Sequence, residues 1–197
     1  FGSYKYSLSN LFQLEVINLG RYKEINYNSN KNKEIRDTYL DQENLNYRIG
    51  GKLMLLSPQK NDPFWLSSRI SFGRNESSKQ GYLFSELIGT FKFNNWLAFN
   101  INPKYLFSGV DNISTLGISS NVNLLKSLSV ISEANIGISD DSESNNTFAL
   151  RYFYSPNKSL DLYATNSVGL ADIGQMLKSD DYKLSLIHIS EPTRLAI

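Results

Sequence analysis

Residues 82–107 read YLFSELIGTFKFNNWLAFNINPKYLF, two alternating runs on either side of Asn94-Asn95. Before that pair, Leu83, Ser85, Leu87, Gly89, Phe91 and Phe93 fall on one face. Tyr82, Glu86, Thr90 and Lys92 fall on the other, with Phe84 and Ile88 as apolar exceptions. After it, Leu97, Phe99, Ile101, Tyr105 and Phe107 share a face opposite Asn100, Asn102 and Lys104. A side-chain period of two marks strands whose two faces meet different environments. Asn tolerates positive φ, so Asn94-Asn95 is expected to make a type I′ hairpin turn.

The same pattern extends in both directions. Phe64, Leu66, Ile70 and Phe72 oppose Ser67, Arg69 and Ser71. Leu128, Val130, Ala134, Ile136 and Ile138 oppose Ser129, Glu133 and Asn135, with Ile131 intruding. Phe148, Leu150, Tyr152 and Tyr154 oppose Thr147 and Arg151, and Leu160, Leu162 and Ala164 oppose Asp161, Tyr163 and Thr165. Weaker alternation marks Leu11 to Tyr27, Tyr47 to Ser57 and Ile113 to Leu124, and a last strand is expected from Tyr182. Ala171 to Lys178 is expected to hold one short helical turn. The reading is about ten to eleven strands, several of about ten residues, whereas globular strands average about five or six.

The connections alternate in length. Ser9-Asn10, Asn94-Asn95, Leu125 to Ser127 and Ser155 to Lys158 are short, and Pro58 to Pro63 is intermediate. Ser29 to Gln42, Asn75 to Gln80, Ser108 to Asn112, Ser139 to Asn146 and Val168 to Asp181 are longer and polar. Aromatic residues gather at strand ends. Trp65, Phe93, Trp96 and Tyr154 lie near short turns, and Phe72, Tyr82, Tyr105 and Phe107 near long loops. Tilted strands of nine to eleven residues, short turns at one rim, long loops at the other and aromatic girdles at both describe an up-and-down membrane barrel. Alternation alone serves a soluble sandwich or lipocalin-like barrel equally well.

Composition narrows the classes. The 197 residues carry 20 basic and 19 acidic side chains, a net +1 that gives no dedicated nucleic-acid surface. With no Cys, neither disulfides nor thiolate metal sites arise. Mean hydropathy is −0.33, which is compatible with a membrane barrel because only alternate residues need be apolar.

Together these features resemble the bacterial outer-membrane β-barrel superfamily of Gram-negative bacteria, in its porin-like form, over residues 2–186. The resemblance implies an all-β antiparallel transmembrane meander in the outer membrane, contacting lipid and small solutes or ions, and assembled by the barrel-assembly machinery. The stretch Tyr154 to Asn166 looks like a periplasmic hairpin of such proteins. A closing strand ending in Phe, usual in them, is missing, and the chain starts inside an alternating run at Tyr4, Tyr6 and Leu8. Both points lead us to expect a fragment. Residues 187–197 resemble translated sequencing-adapter read-through at the end of a metagenomic reading frame. They are expected to be a non-native tail, leaving residues 1–186 as the barrel domain.

The chemistry follows from the same faces. The one histidine, His188, falls in the suspect tail, so no Ser–His–Asp triad or ordinary zinc site is expected, and neither enzyme nor cofactor. If the apolar faces meet lipid, Arg48, Lys52, Arg69, Lys92, Lys104 and Arg151 line a lumen with Glu86, Glu133 and Asp161. That wall is net basic and favours anions. Alternatively, Arg69–Glu86 and Arg151–Asp161 are lateral ion pairs that stiffen it. Trp65, Phe72, Phe93, Trp96, Tyr105, Phe107 and Tyr154 are expected at the membrane interface. The expected function is a passive pore. The alternatives are a non-porous barrel acting through its long loops, or a soluble all-β binding protein.

Overall fold

Long alternating segments rich in β-branched and aromatic residues satisfy their backbone groups most simply by pairing with sequence neighbours. A computed structural model, which describes residues 2–7, 11–19, 34–35, 38, 46–56, 63–75, 78–155, 158–169 and 172–190, shows that arrangement. Its strands are β1 (Gly2–Ser7), β2 (Phe12–Leu19), β3 (Asn46–Leu56), β4 (Phe64–Asn75), β5 (Gly81–Lys92) and β6 (Leu97–Ser108). They continue with β7 (Ile113–Leu125), β8 (Leu128–Gly137), β9 (Asn145–Ser155), β10 (Lys158–Ser167) and β11 (Lys178–Ser190). One helical turn, α1 (Ile173–Met176), precedes β11. Each strand pairs antiparallel with the next, giving one 11-stranded meander in sequence order with β1 and β11 at its ends.

The strands from β4 to β7 run 12 or 13 residues. The expected strand from Leu11 to Tyr27 is described only as Phe12–Leu19, and Ser29 to Gln42 lies largely outside the described residues. The last strand starts earlier than expected, at Lys178 rather than Tyr182. Ile187 to Ser190 remain in it, opposite Asp161 to Lys158, and residues 191–197 lie outside the described residues.

The β5–β6 turn differs from the expected two-residue hairpin. Positive φ occurs at Lys79 and Asp172 among described non-glycine residues, and not at Asn94 or Asn95. The strands instead end at Lys92 and resume at Leu97. The Asn94 side-chain oxygen accepts the backbone N–H groups of Trp96, at 2.9 Å, and Leu97, at 2.8 Å. The side chain does locally what positive φ would have done through the backbone. A second irregularity is Pro103 in β6. The β5–β6 ladder is interrupted between Glu86–Lys104 and Gly89–Ile101, where proline has no N–H to donate.

Burial is inverted relative to a globular sheet. Ile49, Ile70, Phe72, Ile101, Phe107, Phe148 and Leu184 are exposed, while Arg48, Glu86, Lys104, Asn135 and Asp161 on the opposite face are buried. The outward face is not wholly apolar, but its polar atoms find one another. Ser120 and Ser132, opposite each other on β7 and β8, are bonded at 2.8 Å.

The sheet curls around its polar face. The segment between β10 and β11 touches Arg48 on β3 and Asn145 on β9, so distant strands meet a single element. The apolar core is small and lies inside the curl. Ile35, Tyr82, Phe84, Leu106 and Ile113 pack there with Val168, Ile173, Met176 and Leu177.

Candidate functional site

Strand register converts the inward face into diagonal rows. One row runs Gly50, Ser71, Phe84, Leu106, Ile113 across β3 to β7. The next runs Lys52, Arg69, Glu86, Lys104, Thr115. A further row runs Trp65, Thr90, Asn100, Ser119, Glu133, Thr147, Thr165 and Lys183, across β4 to β11. The first row explains the apolar exception at Phe84. Phe84, Leu106 and Ile113 form an apolar seat on the inner wall, and the apolar residues of the β10–β11 segment fill it.

That segment is shaped for close entry. Backbone hydrogen bonds close it on itself, Val168 N–H to Leu177 O and Gly169 N–H to Gly174 O, both at 3.0 Å. A Cβ on Gly174 would stand 2.8 Å from the Gly169 backbone, so this crossing needs glycine. The Asn145 amide of β9 donates to Gln175 O at 2.8 Å. Ahead of α1, Asp172 adopts φ 43° and ψ −116°, a region that a non-glycine residue occupies only when its surroundings enforce it.

The enforcement comes from β3 and β4. Asp172 Oδ2 lies 2.5 Å from Arg48 Nη1 and accepts the Ser71 hydroxyl at 2.5 Å. Asp172 Oδ1 lies 3.3 Å from Arg69 Nη2. The ionic chain continues along the wall, through Arg69–Glu86 at 3.9 Å and Glu86–Lys104 at 3.8 Å to Lys104–Glu133 at 2.8 Å. Lys104 Nζ also donates to Asn135 Oδ1 at 2.5 Å, and Asn135 donates to Asn145 at 3.0 Å. A buried lysine needs such partners, because an unpaired charge in low dielectric is costly. Gly117 leaves room for the lysine head, since a Cβ there would stand 3.2 Å from it.

All nine charged residues singled out in the sequence share the inward face: Arg48, Lys52, Arg69, Glu86, Lys92, Lys104, Glu133, Arg151 and Asp161. Both expected lateral pairs are present, and Arg151 is bidentate on Asp161, with Nε at 2.9 Å and Nη2 at 2.7 Å. Asp172 was missed. A loop residue has no strand period to place it, and the readable signal was indirect. Val168, Ile173, Met176 and Leu177 are apolar in a connection that should be polar.

Burial along the inward face is uneven. Arg48, Ser71, Glu86, Lys104, Thr115, Asn145 and Thr165, toward the long connections, are buried. Toward the short turns, Lys52, Trp65, Thr90, Lys92, Asn100, Asn121 and Arg151 are half-buried, while Ser67, Ser129, Ser159 and Asp161 are buried. The longer inward side chains are more covered toward the long connections, where the β10–β11 segment packs, than toward the short turns.

The aromatic expectations need two corrections. Phe72, Phe93, Trp96, Tyr105, Phe107 and Tyr154 are exposed. Trp65 is not on that face: it is half-buried and shares the parity of Ser67 and Arg69. Tyr82 is also inward and buried, its ring lying over Gly73 on β4.

No family model and no curated protein sequence matches the chain. Among solved structures, a KdgM porin in complex with disordered oligogalacturonate matches with a TM-score of 0.59 and 12% sequence identity, over 83% of this chain and 81% of that chain. At that identity the likeness concerns the backbone: the chain has the antiparallel meander fold of a porin-type β-barrel.

Proposed function

We propose that the chain is an outer-membrane channel of the passive, porin-like kind, with a preference for anions. The observation that carries this reading is the inverted distribution of side chains. Large apolar residues face outward on successive strands, and a hydrogen-bonded polar wall faces inward. In lipid the outward face is solvated by hydrocarbon, and the inward one needs water or partners. Phe72, Tyr105 and Phe107 at the long-loop end and Phe93, Trp96 and Tyr154 at the turn end then mark two interfacial belts. Assembly of the meander in the membrane is the task of the barrel-assembly machinery.

Anion preference rests on the wall's balance. Arg48, Lys52, Arg69, Lys92, Lys104, Arg151 and Lys183 outnumber Glu86, Glu133, Asp161 and Asp172 among the inward residues named above. A basic lining lowers the electrostatic barrier to anions. The acidic oligosaccharide held by the KdgM porin agrees with an anionic solute here. Liposome swelling tests the reading: vesicles containing the protein should swell faster in small anionic solutes than in cationic ones of equal size. No swelling above empty vesicles would overturn it. It would favour the second reading, a barrel filled by its β10–β11 segment, for which the buried long-loop half is the supporting observation.

A further inference from the structure

Two guanidinium groups and one hydroxyl converge on one buried carboxylate, the guanidinium groups as ion pairs and the hydroxyl as a hydrogen-bond donor. Arg48, Arg69 and Ser71 belong to the wall strands β3 and β4, whereas the acceptor, Asp172, arrives on the β10–β11 segment. Two guanidinium charges, one beside each carboxylate oxygen, together with a donating hydroxyl suit a carboxylate, because Arg stays charged when buried and the opposite charge offsets the cost of burying the anion. The Asp172 backbone is held at φ 43°, so the contact is made against a local conformational preference. The rest of the segment is anchored separately, by Ile173, Met176 and Leu177 on the apolar seat. Donors and acceptor therefore sit on two elements joined by non-covalent contacts alone.

We propose that Arg48, Arg69 and Ser71 form a binding seat for the carboxylate of a small solute, and that Asp172 is its built-in occupant. A carboxylate solute entering from the short-turn half, where the long inward side chains are only half-buried, takes the place of the Asp172 side chain. The β10–β11 segment then leaves the wall, and the filled half of the interior opens. The segment acts as a tethered competitor, with the solute as the key to its own path. The proposal deepens the channel reading and rests on it for its physiological meaning, but the seat can be tested without a channel.

Isothermal titration of the folded, detergent-solubilised protein with sodium gluconate, at fixed ionic strength, is the test. Asp172→Asn keeps the side chain's size and removes its charge. A tethered competitor lowers apparent affinity by the fraction of time it leaves the seat empty, so Asp172→Asn should bind gluconate about tenfold tighter than the native chain. Adding Arg48→Gln and Arg69→Gln to that variant should abolish the gain. Equal affinities for native and Asp172→Asn protein, or a gain that survives loss of both arginines, would overturn the proposal.

Should circular dichroism show that Asp172→Asn does not fold, Met176→Ser gives the same test. It weakens the anchor and leaves Asp172 and both arginines in place, so it too should raise gluconate affinity, and an unchanged affinity would overturn the seat. Bilayer conductance separates this proposal from the channel reading. The affinity pattern without conductance supports the seat and removes the channel, and conductance without the affinity gain removes the seat alone.

Discussion

Arg48 and Asp172, one on β3 and the other on the segment before β11, meet at 2.5 Å with both side chains almost wholly buried. Arg151 and Asp161 pair at 2.7 Å on neighbouring strands, where the arginine is 30% exposed. The two ion pairs sit in different dielectrics, and their energetics should differ accordingly. Arg48→Gln leaves a buried carboxylate short of a partner and should cost about 3 kcal/mol, with little dependence on salt. Arg151→Gln takes a bidentate partner from Asp161, itself only 10% exposed, but water still reaches the arginine side; it should cost about 1–2 kcal/mol, less in high salt. Urea unfolding of the reconstituted protein at two ionic strengths checks both.

The two faces of β9 offer a direct comparison. Leu150 is exposed at mid-strand, while Ala149 beside it faces Ile131 and Tyr163 across the inner wall. In a bilayer, Leu150→Arg should destabilise by about 2–4 kcal/mol, the cost of a charge at mid-depth on the lipid face. Ala149→Arg points into the polar interior and should change stability by no more than about 1 kcal/mol. Equal effects at the two positions in lipid vesicles would show that the outward face does not meet hydrocarbon.

Gly73 and Tyr82 fit together on adjacent strands. A Cβ on Gly73 would stand 2.0 Å from the Tyr82 ring, which must then leave its place in the small core. Gly73→Ala should therefore cost about 1–3 kcal/mol through overpacking. The double variant with Tyr82→Ala should recover the steric part. A double-mutant cycle on thermal unfolding measures the coupling, and simple additivity would contradict the contact.

The strands were legible because one physical rule governs each of them. Period two placed Arg69, Glu86, Lys104 and Arg151 on one face, and register then made the lateral pairs. The same rule, applied strictly, puts Trp65 inward beside Ser67, against its grouping by position near a turn. Rules of residue type reached less far. Asn94-Asn95 looked like a positive-φ turn, but the Asn94 side chain supplied the missing hydrogen bonds instead. Asp172 was illegible because a loop's destination depends on what it can pack against. Here that is Phe84, Leu106 and Ile113, three inward apolar residues on adjacent strands that gain meaning only once the register is known.

A polar, net basic interior that conducts should give stepwise currents when purified, refolded protein is recorded in a planar bilayer across a potassium chloride gradient, with a reversal potential of the sign set by chloride. Folded protein that inserts without producing steps, or a reversal potential set by potassium, would show that the interior is not an anion-preferring path.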